Sequence, residues 1–318
     1  MRRGINTVDA GRAFLAADES HDPSEFDGID EVVRTVMEAV EAGRRITVYG
    51  DFDADGVCST SVMVGVLREL GADADWFIPD RISEGYGLNL EAIRMLASRG
   101  TGLIITVDCG VTAADEVDLA HELGLGILVT DHHQPGDRLP DCPVLHPEVC
   151  GYPFKELCGT AVAAKLASAL RRERGIGVEA DEKDLDLVAL ATVTDVMPLL
   201  GENRRLVKEG VRVARRARRV GMRALMAASK INPATLGAED FGFRLGPRIN
   251  AAGRMYRADA GVELFLADSQ ERAEAIGEEL GRANLERRRV EREVGTAAEA
   301  ARRELADPHP SALVVAGE

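Results

Sequence analysis

The sequence lacks long apolar runs and compositional bias. None of its stretches reaches the roughly 18 consecutive apolar residues of a membrane-spanning helix, and its first residues lack the apolar core of a secretory leader. Its 32 glycines and 12 prolines are scattered and 45% of its residues are hydrophobic, which excludes collagen-like, low-complexity and disordered chains. We therefore expect an ordinary globular protein of the cytoplasm, with one large or two smaller domains.

Cysteine is scarce and never occurs as a CxxC pair. The five cysteines, at positions 58, 109, 142, 150 and 158, leave one without a partner in any disulfide scheme. This pattern argues against a disulfide framework and against a zinc ribbon. We interpret these cysteines as small buried or half-buried side chains.

Lysine is scarce too, since 34 of the 39 basic residues are arginine, and acidic residues dominate with a net charge of -15. A charge of this sign opposes association with phosphates. The argument weakens if the acids cluster around a cation. Arginines stand in groups at 215–219 and 287–289, for which solvated helix faces are the simplest interpretation.

Short β-branched runs alternate with amphipathic stretches from residue 46 onward. Strands are predicted at 46–51, 76–80, 103–110, 126–133 and 144–147, with helices over 58–71, 89–99 and 113–124 between them. This spacing predicts an α/β fold with a mainly parallel sheet and helices on both faces.

After residue 159 the pattern becomes almost entirely helical. Helices are predicted over 160–175, 184–194, 203–229 and 261–267, followed by a long charged connecting helix over 270–305. ADPHP then ends this helix and SALVVAGE starts a new apolar run. The predicted domains are a helical preface (1–45), an α/β core (46–200), a helical extension (201–268), the connecting helix (269–307) and the start of a truncated domain (308–318).

Four acidic or histidine clusters fall at the carboxyl ends of predicted strands or on adjacent turns: YGDFDADG, VDCG, TDHH and TVTDVMP. The carboxyl ends of parallel strands share one edge of the sheet, so Asp51, Asp108 and His132 are expected to converge there. Asp55 or Asp131 alone has a simpler interpretation as a helix cap. Capping does not explain several such clusters at once.

Carboxylates and imidazoles gathered in one crevice repel one another unless a cation is present. We therefore expect one or two divalent metals. Mixed aspartate and histidine ligands without cysteine favour Mn²⁺, with Mg²⁺ as the alternative. Two metals about 3.5 to 4 Å apart suit the hydrolysis of phosphate esters, which is the reaction class that the residues predict.

These blocks, in this order, resemble the motifs of the DHH phosphoesterase superfamily. GDFDADGVCSTS, VDCGVT, VTDHHQP and ATVTDVMPLLGENR match its four motifs. RISEGYGLN, YPFKELCGTAVAAKL and GFRLGPRINAAGRM narrow the resemblance to the single-strand-specific 5′ to 3′ DNA exonucleases of the superfamily, over nearly the whole chain. The resemblance implies release of 5′ mononucleotides from single-stranded DNA, in DNA repair and recombination.

The resemblance also implies roles for individual residues. The implied metal ligands are Asp51, Asp53, Asp108, His132 and Asp195, with Asp108 as the bridging ligand. Three more residues are implied to be catalytic: His133 would face the scissile phosphate, Asp131 would orient its neighbours, and Asp55 would be a ligand or a supporting acid.

Five residues are implied to bind substrate. Arg248, Asn250 and Arg254 match a motif in which guanidinium groups would clamp DNA phosphates. Arg81 and Tyr86 resemble residues that line the path of the strand, where Tyr86 would stack on a base. Two alternatives stay open: Arg254 forms a structural ion pair instead of binding DNA, and Tyr86 is a buried core residue instead of a stacking residue. His146, in VLHP, is a further candidate for a supporting role.

Two features depart from the superfamily pattern. Many members carry a histidine shortly before the first aspartates, but Val48, Tyr49 and Gly50 precede Asp51 here, so the number of metals stays open. The glycine-rich, histidine-containing motif of a C-terminal domain is absent, so we expect a catalytic core without its second half.

Several alternatives remain beside the exonuclease. They are a phosphodiesterase for nanoRNA or cyclic dinucleotides, a manganese pyrophosphatase, and an inactive scaffold that binds repair proteins. Single-stranded DNA is the implied partner, with a single-strand-binding protein or a helicase as a further candidate. No membrane partner is expected.

Overall fold

A five-stranded parallel sheet forms the centre of the protein, described by a computed structural model over residues 5–81, 84–255, 257, 259–303 and 314. The strands are β1 (Ile46–Tyr49), β2 (Ala74–Phe77), β3 (Leu103–Val107), β4 (Gly126–Thr130) and β5 (Val144–Leu145). They follow the order β2-β1-β3-β4-β5, and every neighbouring pair is parallel.

Helices cover the sheet and form most of the remaining described chain. They are α1 (Val8–Ala16), α2 (Ile29–Glu41), α3 (Ala54–Glu69), α4 (Leu90–Ser98), α5 (Ala114–Glu122), α6 (Gly159–Glu173), α7 (Leu185–Thr194), α8 (Gly201–Arg215), α9 (Val220–Ala228), α10 (Ala238–Asp240), α11 (Gly246–Met255), α12 (Ala260–Leu266) and α13 (Gln270–Arg303). Short 3₁₀ helices lie at Pro23–Glu25, Val178–Asp184 and Pro233–Thr235, and a π-helical segment, Phe241–Leu245, leads directly into α11.

Side chains of the central strands alternate between two apolar layers. Val48, Ile105 and Leu128 pack with α2, α3, α6 and α7. Ile104 and Ile127 pack with α4 and α5 on the other face. Because both faces are covered, the central strands β1, β3 and β4 are buried along almost their whole length. The predicted α/β fold with helices on both faces is confirmed.

The strand order creates a crevice at one edge of the sheet. β1 lies between β2 and β3, so the chain leaves β1 toward one side and later returns to the other. At such a switch point the connections after the two central strands diverge and leave room for a ligand. The segments that follow β1, β3 and β4 all emerge at this edge.

All five strands end earlier than predicted, and helix α3 beside the sheet begins earlier. Helix α3 begins at Ala54 rather than at 58, because the Asp53 carboxylate caps it by accepting from the N–H groups of Asp55 and Gly56. Strand β2 ends at Phe77 rather than at 80, since its ladder with β1 ends at the pair Tyr49 and Phe77.

The single helix predicted over 203–229 is wrong, because α8 and α9 are separate helices. Ala217 between them has a left-handed backbone with φ +49°. The guanidinium of Arg219 turns into the protein and forms ion pairs with Asp184 at 3.2 Å and Asp186 at 3.0 Å. These contacts form with residues more than 30 positions away, so helical periodicity does not reveal them.

The first half of helix α13 packs against the hydrophobic core. Ala273, Ile276 and Leu280 are buried, whereas Leu285 is 66% exposed and Val294 is also exposed. The predicted helix from 270 is present, with a solvated second half. The predicted start of a truncated domain, 308–318, lies outside the described residues apart from Val314.

All five cysteines are free, and Cys142 is half-buried while the other four are buried, which confirms their interpretation. Within the described ranges, each helix is too short or too polar to cross a bilayer.

Candidate functional site

Aspartates and histidines from four separate segments meet at the crevice. Their ligand atoms form three groups, and within each group all atoms lie within 4.8 Å of one another: Asp51 with Asp53 and Asp108, Asp55 with His132 and Asp195, and Asp108 with His132 and His133. Asp108 and His132 each belong to two groups. The three groups therefore form one connected cluster, which we call the carboxylate cluster.

His132 lies at the centre of the carboxylate cluster. Its Nε2 atom is 3.1 Å from Asp108 Oδ1, 3.5 Å from Asp55 Oδ2 and 3.7 Å from Asp195 Oδ2. The side chain is 8% exposed, and this burial lowers the pKa of His132 despite the nearby Asp55. The low pKa favours the neutral ring, which is the form that ligates metals.

Three buried atoms of the carboxylate cluster have no hydrogen-bond partner: Asp51 Oδ1, Asp108 Oδ1 and His132 Nε2. The last two are 3.1 Å apart, but their orientation is not that of a hydrogen bond. An unpaired buried polar atom costs about 1–3 kcal/mol, so three together need an explanation. Carboxylate oxygens with an imidazole nitrogen are a donor set that suits a divalent cation such as Mn²⁺. The residues present therefore fit the predicted metal.

The same burial disfavours negative charge on the carboxylates. It raises the pKa of Asp51 to about 7, with a further contribution from Asp53. Burial, followed by Asp55 and Asp53, raises the pKa of Asp195 to about 7. The pKa of Asp108 is raised well above its usual range, first by burial and then by Asp55. A cation in the crevice would reverse each of these shifts.

Asp55 joins the carboxylate cluster to helix α6. Its Oδ2 accepts from the Gly159 N–H at 2.7 Å, and its Oδ1 accepts from the Thr160 N–H at 2.7 Å and the Thr160 hydroxyl at 2.6 Å. The interpretation of Asp55 as the cap of its own helix is wrong, since Asp53 caps α3. Gly159 and Thr160 escaped prediction because they lie 104 and 105 residues from Asp55.

Asp131 lies beneath both histidines. Its Oδ1 accepts from the N–H groups of His132 at 2.7 Å and His133 at 3.1 Å and from His133 Nδ1 at 2.8 Å, and its Oδ2 accepts from the Val111 N–H at 2.9 Å. Burial opposes the charge of Asp131, but the bonds from His133 and Val111 outweigh it and lower the pKa. The bond to Asp131 raises the pKa of His133, whose ring is 43% exposed.

Tyr86 and Arg81 border the carboxylate cluster. The Tyr86 hydroxyl donates to the Asp108 carbonyl at 3.3 Å and lies 3.1 Å from His133 Nδ1. Tyr86 is 54% exposed, so the alternative of a core tyrosine is wrong. The Arg81 guanidinium lies 4.8 Å from the centre of the Phe52 ring.

His146 supports the second histidine from behind. Its Nδ1 accepts from the N–H groups of Glu148 at 3.1 Å and Val149 at 3.3 Å, so the proton is on Nε2. Nε2 donates to the His133 carbonyl at 2.8 Å. The loop that carries His133 is thereby tied to the end of β5.

Helix α11 distributes the predicted substrate residues over different faces. Asn250 Oδ1 accepts from the Ala54 N–H at 2.7 Å, directly beside Asp53. Arg248 lies about 200° around the helix from Asn250 and donates to the Arg244 carbonyl. The side chain of Arg254 lies outside the described residues. Of the described pair, Asn250 contacts the turn that carries Asp53 and Asp55, and Arg248 points elsewhere.

Two backbone positions at the carboxylate cluster are strained. Asp108 has φ +62°, and Val196, which follows Asp195, has φ +60°. A positive φ is rare for residues other than glycine and is a genuine outlier for a β-branched one. Such strain persists where the surrounding structure holds it, and it gathers at functional sites.

Substituting Gly159 with alanine should impair the carboxylate cluster. The added Cβ would lie 2.6 Å from Asp108 Oδ1 and 2.9 Å from Asp108 Cγ. The carboxylate must then shift, and we expect a 10 to 100-fold loss of Mn²⁺ affinity, of about the size seen for residues that orient metal ligands. Mn²⁺ titration of the purified variant checks this.

Gly295→Ala is the matched control, since no atom lies within 4 Å of its added Cβ. It should bind Mn²⁺ like the unsubstituted protein. An unchanged affinity in Gly159→Ala would contradict the role given to this close approach.

Comparison with known families and structures gives consistent matches. The model of the DHH family, N-terminal domain, matches residues 45–192. RecJ of Bacillus subtilis (strain 168), a single-stranded-DNA-specific exonuclease, is 42% identical over 295 residues, which are 91% of this chain and 37% of that protein. RecJ of Thermus thermophilus is 38% identical over 291 residues, 91% of this chain and 42% of that protein.

Solved structures agree with these matches. A crystal structure of exonuclease RecJ bound to manganese has a TM-score of 0.79 and 38% identity, covering 88% of this chain and 69% of that one. RecJ from Thermus thermophilus in complex with Mn²⁺ has a TM-score of 0.76 and 36% identity, covering 89% of this chain and 41% of that one. The chain thus spans less than half the length of the curated relatives named above.

Proposed function

The chain belongs to the DHH family, and we propose that it is a metal-dependent nuclease that degrades single-stranded DNA from the 5′ end to 5′ mononucleotides. The observation that carries this proposal is the convergence of Asp51 Oδ1, Asp108 Oδ1 and His132 Nε2, all buried and unpartnered, at the switch point of the sheet. The relatives named as single-stranded-DNA-specific exonucleases support the substrate class. This chain spans 37% and 42% of the lengths of these relatives. We therefore propose the exonuclease activity for this chain separately, on the residues of the carboxylate cluster.

We propose that one or two Mn²⁺ ions, replaceable by Mg²⁺, are held by Asp51, Asp53, Asp108, His132 and Asp195. RecJ structures that contain Mn²⁺ and Mg²⁺ support this choice. When bound, the cation would supply positive charge to the phosphoryl oxygens and lower the pKa of water. The N–H groups of Gly159 and Thr160 at the start of α6 hold the Asp55 carboxylate in a fixed position within the carboxylate cluster.

His133 is the proposed contact to the scissile phosphate. Its raised pKa keeps the ring protonated to higher pH. Asp131 accepts the Nδ1 proton, which leaves the Nε2 proton for a phosphate oxygen. Asp131 and His146 act as positioning residues, because both hold His133 in this orientation.

The substrate strand is proposed to enter beside Arg81 and Tyr86. Arg81 adds a positive charge beside Asp51, and the exposed ring of Tyr86 offers a stacking surface. Asn250 holds the loop of the first aspartates. Binding of a substrate phosphate by Arg254 stays a prediction. Arg248, also predicted to clamp substrate, lines a separate cavity between α9, α11 and α13.

Tyr86→Ala should raise the KM for single-stranded DNA about 10-fold, because stacking contributes about 1–3 kcal/mol per base. Tyr86→Phe keeps the ring and is the matched control, with a KM close to that of the unsubstituted protein. Steady-state kinetics on a short oligonucleotide give both KM and kcat. An unchanged KM in Tyr86→Ala would show that the ring does not contact substrate.

The proposed function is tested by release of mononucleotides from 5′-phosphorylated single-stranded DNA with Mn²⁺. Matched duplex, pyrophosphate and a diribonucleotide are assayed in parallel. We expect selective degradation of the single strand from its 5′ end. Faster cleavage of pyrophosphate or of the diribonucleotide would replace the proposal with one of the small-substrate hydrolases, and no cleavage of any substrate by the Mn²⁺-bound chain would contradict it.

We also propose that the protein acts in the cytoplasm with a single-strand-binding protein or a helicase as recruiting partner. The support is chemical. A nuclease restricted to single strands depends on a protein that separates duplex DNA or holds the separated strand.

A further inference from the structure

A groove of about 450 Å³ runs along helix α8, and we call it the α8 groove. Among the residues described, the rest of its lining is apolar or glycine, and its charged lining consists of four basic side chains, Arg204, Lys208, Arg212 and Arg215. A lining with one sign of charge is unexpected here, because the chain has a net charge of -15 and the groove carries the opposite sign.

The period of the helix places the four basic side chains in one row. At 3.6 residues per turn they fall within about 80° of one another and extend over about 16 Å of the helix axis. The two acidic residues of α8, Glu202 and Glu209, lie about 100° or more from the centre of this row. Both pair with Arg205, at 3.4 and 2.8 Å. The acids of α8 therefore leave the charge of the row uncompensated.

The charges of the row are accessible and carry no carboxylate partner. In the part of the chain that the structure describes, none of the four side chains forms an ion pair; Arg204, Lys208 and Arg215 each donate to a backbone carbonyl of another segment. A carbonyl is neutral, so the full positive charge remains, and an arginine keeps further N–H groups for a ligand. Lys208, Arg212 and Arg215 are exposed. An anion in the groove can therefore reach them.

The α8 groove begins close to the carboxylate cluster. Leu199 lines the groove and follows Asp195 by four residues, so their Cα atoms are at most about 14 Å apart. Helix α7, which ends directly before Asp195, packs against α8. A strand whose end lies at the carboxylate cluster can therefore reach the α8 groove within a few nucleotides.

We propose that the α8 groove binds the phosphate backbone of single-stranded nucleic acid, at nucleotides beyond the one that is hydrolysed. A row of cations attracts a polyanion by releasing its counterions, whatever the base sequence. Successive turns of α8 present these cations about every 6 Å, which suits a ligand with repeated charges. Nucleic acid is favoured over an acidic peptide because the proposed function, on which this choice rests, brings a strand to Asp195.

The test measures binding by the full chain in EDTA, so that hydrolysis plays no part. Fluorescent oligothymidylates of about 4 and about 16 nucleotides are titrated by anisotropy at several salt concentrations. Lys208→Ala combined with Arg212→Ala removes two cations from the groove. Arg34→Ala combined with Arg99→Ala removes the same charge from exposed positions in α2 and at the end of α4, and is the matched control.

The double substitution in the groove should weaken binding of the longer oligonucleotide about 10-fold. The slope of log affinity against log salt should become shallower by about 1.4, because each lost contact to a single strand contributes about 0.7. Binding of the shorter oligonucleotide should change less, since it covers less of the groove, and the control should change neither. Arg212→Glu reverses one exposed charge and should also weaken binding of the longer oligonucleotide, which keeps the test valid if the double variant fails to fold.

Equal affinity of the double variant and the unsubstituted protein for the longer oligonucleotide would overturn the proposal. An equal loss for both lengths would overturn it too, because the effect would then lie at the carboxylate cluster. Polyglutamate is titrated in parallel, and loss of its binding with unchanged DNA binding would assign the α8 groove to an acidic protein instead. Absence of hydrolysis with Mn²⁺ would contradict the proposed function and leave these binding results intact, so the two failures are distinguishable.

Discussion

Asp108→Asn is expected to reduce hydrolysis of single-stranded DNA by about a thousand-fold, or about 4 kcal/mol of transition-state stabilisation. Asp108 belongs to two of the three ligand groups, and one of its oxygens is buried without a partner. Asparagine keeps the shape of the side chain but removes the charge that the metal requires. The kcat for a 5′-phosphorylated strand at saturating Mn²⁺ measures the effect.

The same substitution should stabilise the metal-free protein. Burial, together with Asp55 and Asp53, disfavours the charged form of Asp108, so a neutral amide removes that penalty. We expect the Tm in EDTA to rise by a few degrees, corresponding to about 1–2 kcal/mol of unfolding free energy. Loss of activity accompanied by a rise in Tm separates a role in the site from a folding defect.

Asp137→Asn is the matched control for Asp108→Asn, because it removes one negative charge from an exposed position. It should change neither kcat nor Tm appreciably. If Asp108→Asn kept its kcat, or if it lost both activity and stability, the assignment of Asp108 to the site would be wrong.

Mn²⁺ is expected to raise the Tm, and to raise it more at about pH 8 than at about pH 6. In the metal-free protein the pKa values of Asp51 and Asp195 are raised from 3.8 to about 7. A carboxyl with a raised folded-state pKa stabilises the protein at low pH, and this stability is lost as the pH rises from about 4 to about 7. At higher pH these carboxyls are negatively charged, and bound Mn²⁺ compensates this charge. The rise in Tm caused by Mn²⁺ therefore grows with pH.

The measurement is the Tm in EDTA and in saturating Mn²⁺ at both pH values, with ionic strength held constant. A concentration 100 times the Kd would add about 2.7 kcal/mol to the unfolding free energy. Asp108→Asn should lose most of this stabilisation. Equal shifts at the two pH values, or an undiminished shift in Asp108→Asn, would show that Mn²⁺ binds elsewhere.

Much of the fold follows from local pattern. Apolar runs such as ITVYG and LIITV, separated by amphipathic stretches, predicted a parallel sheet with two covered faces, and the structure has it. The pattern is informative because each strand and helix buries the side chains that its own periodicity presents. The split between α8 and α9 was not predictable in this way, because it depends on the contacts of Arg219 with Asp184 and Asp186.

The sequence pattern was also sufficient to bring Asp51, Asp108 and His132 together. Each follows a strand, and the carboxyl ends of parallel strands necessarily meet at one edge. The aspartates and the histidine at this edge are sufficient to predict a divalent metal and the hydrolysis of phosphate esters.

Other properties of the site depend on segments that are distant in the chain. Packing of α6 against the first aspartate loop places the Gly159 and Thr160 donors on Asp55, and packing of α11 against α13 turns Arg248 toward a basic cavity. The same packing leaves Asp108 Oδ1 and His132 Nε2 buried without partners. Periodicity identifies which residues a strand or helix buries, but burial depth, hydrogen-bond partners and pKa shifts arise from three-dimensional neighbours, which no local pattern contains.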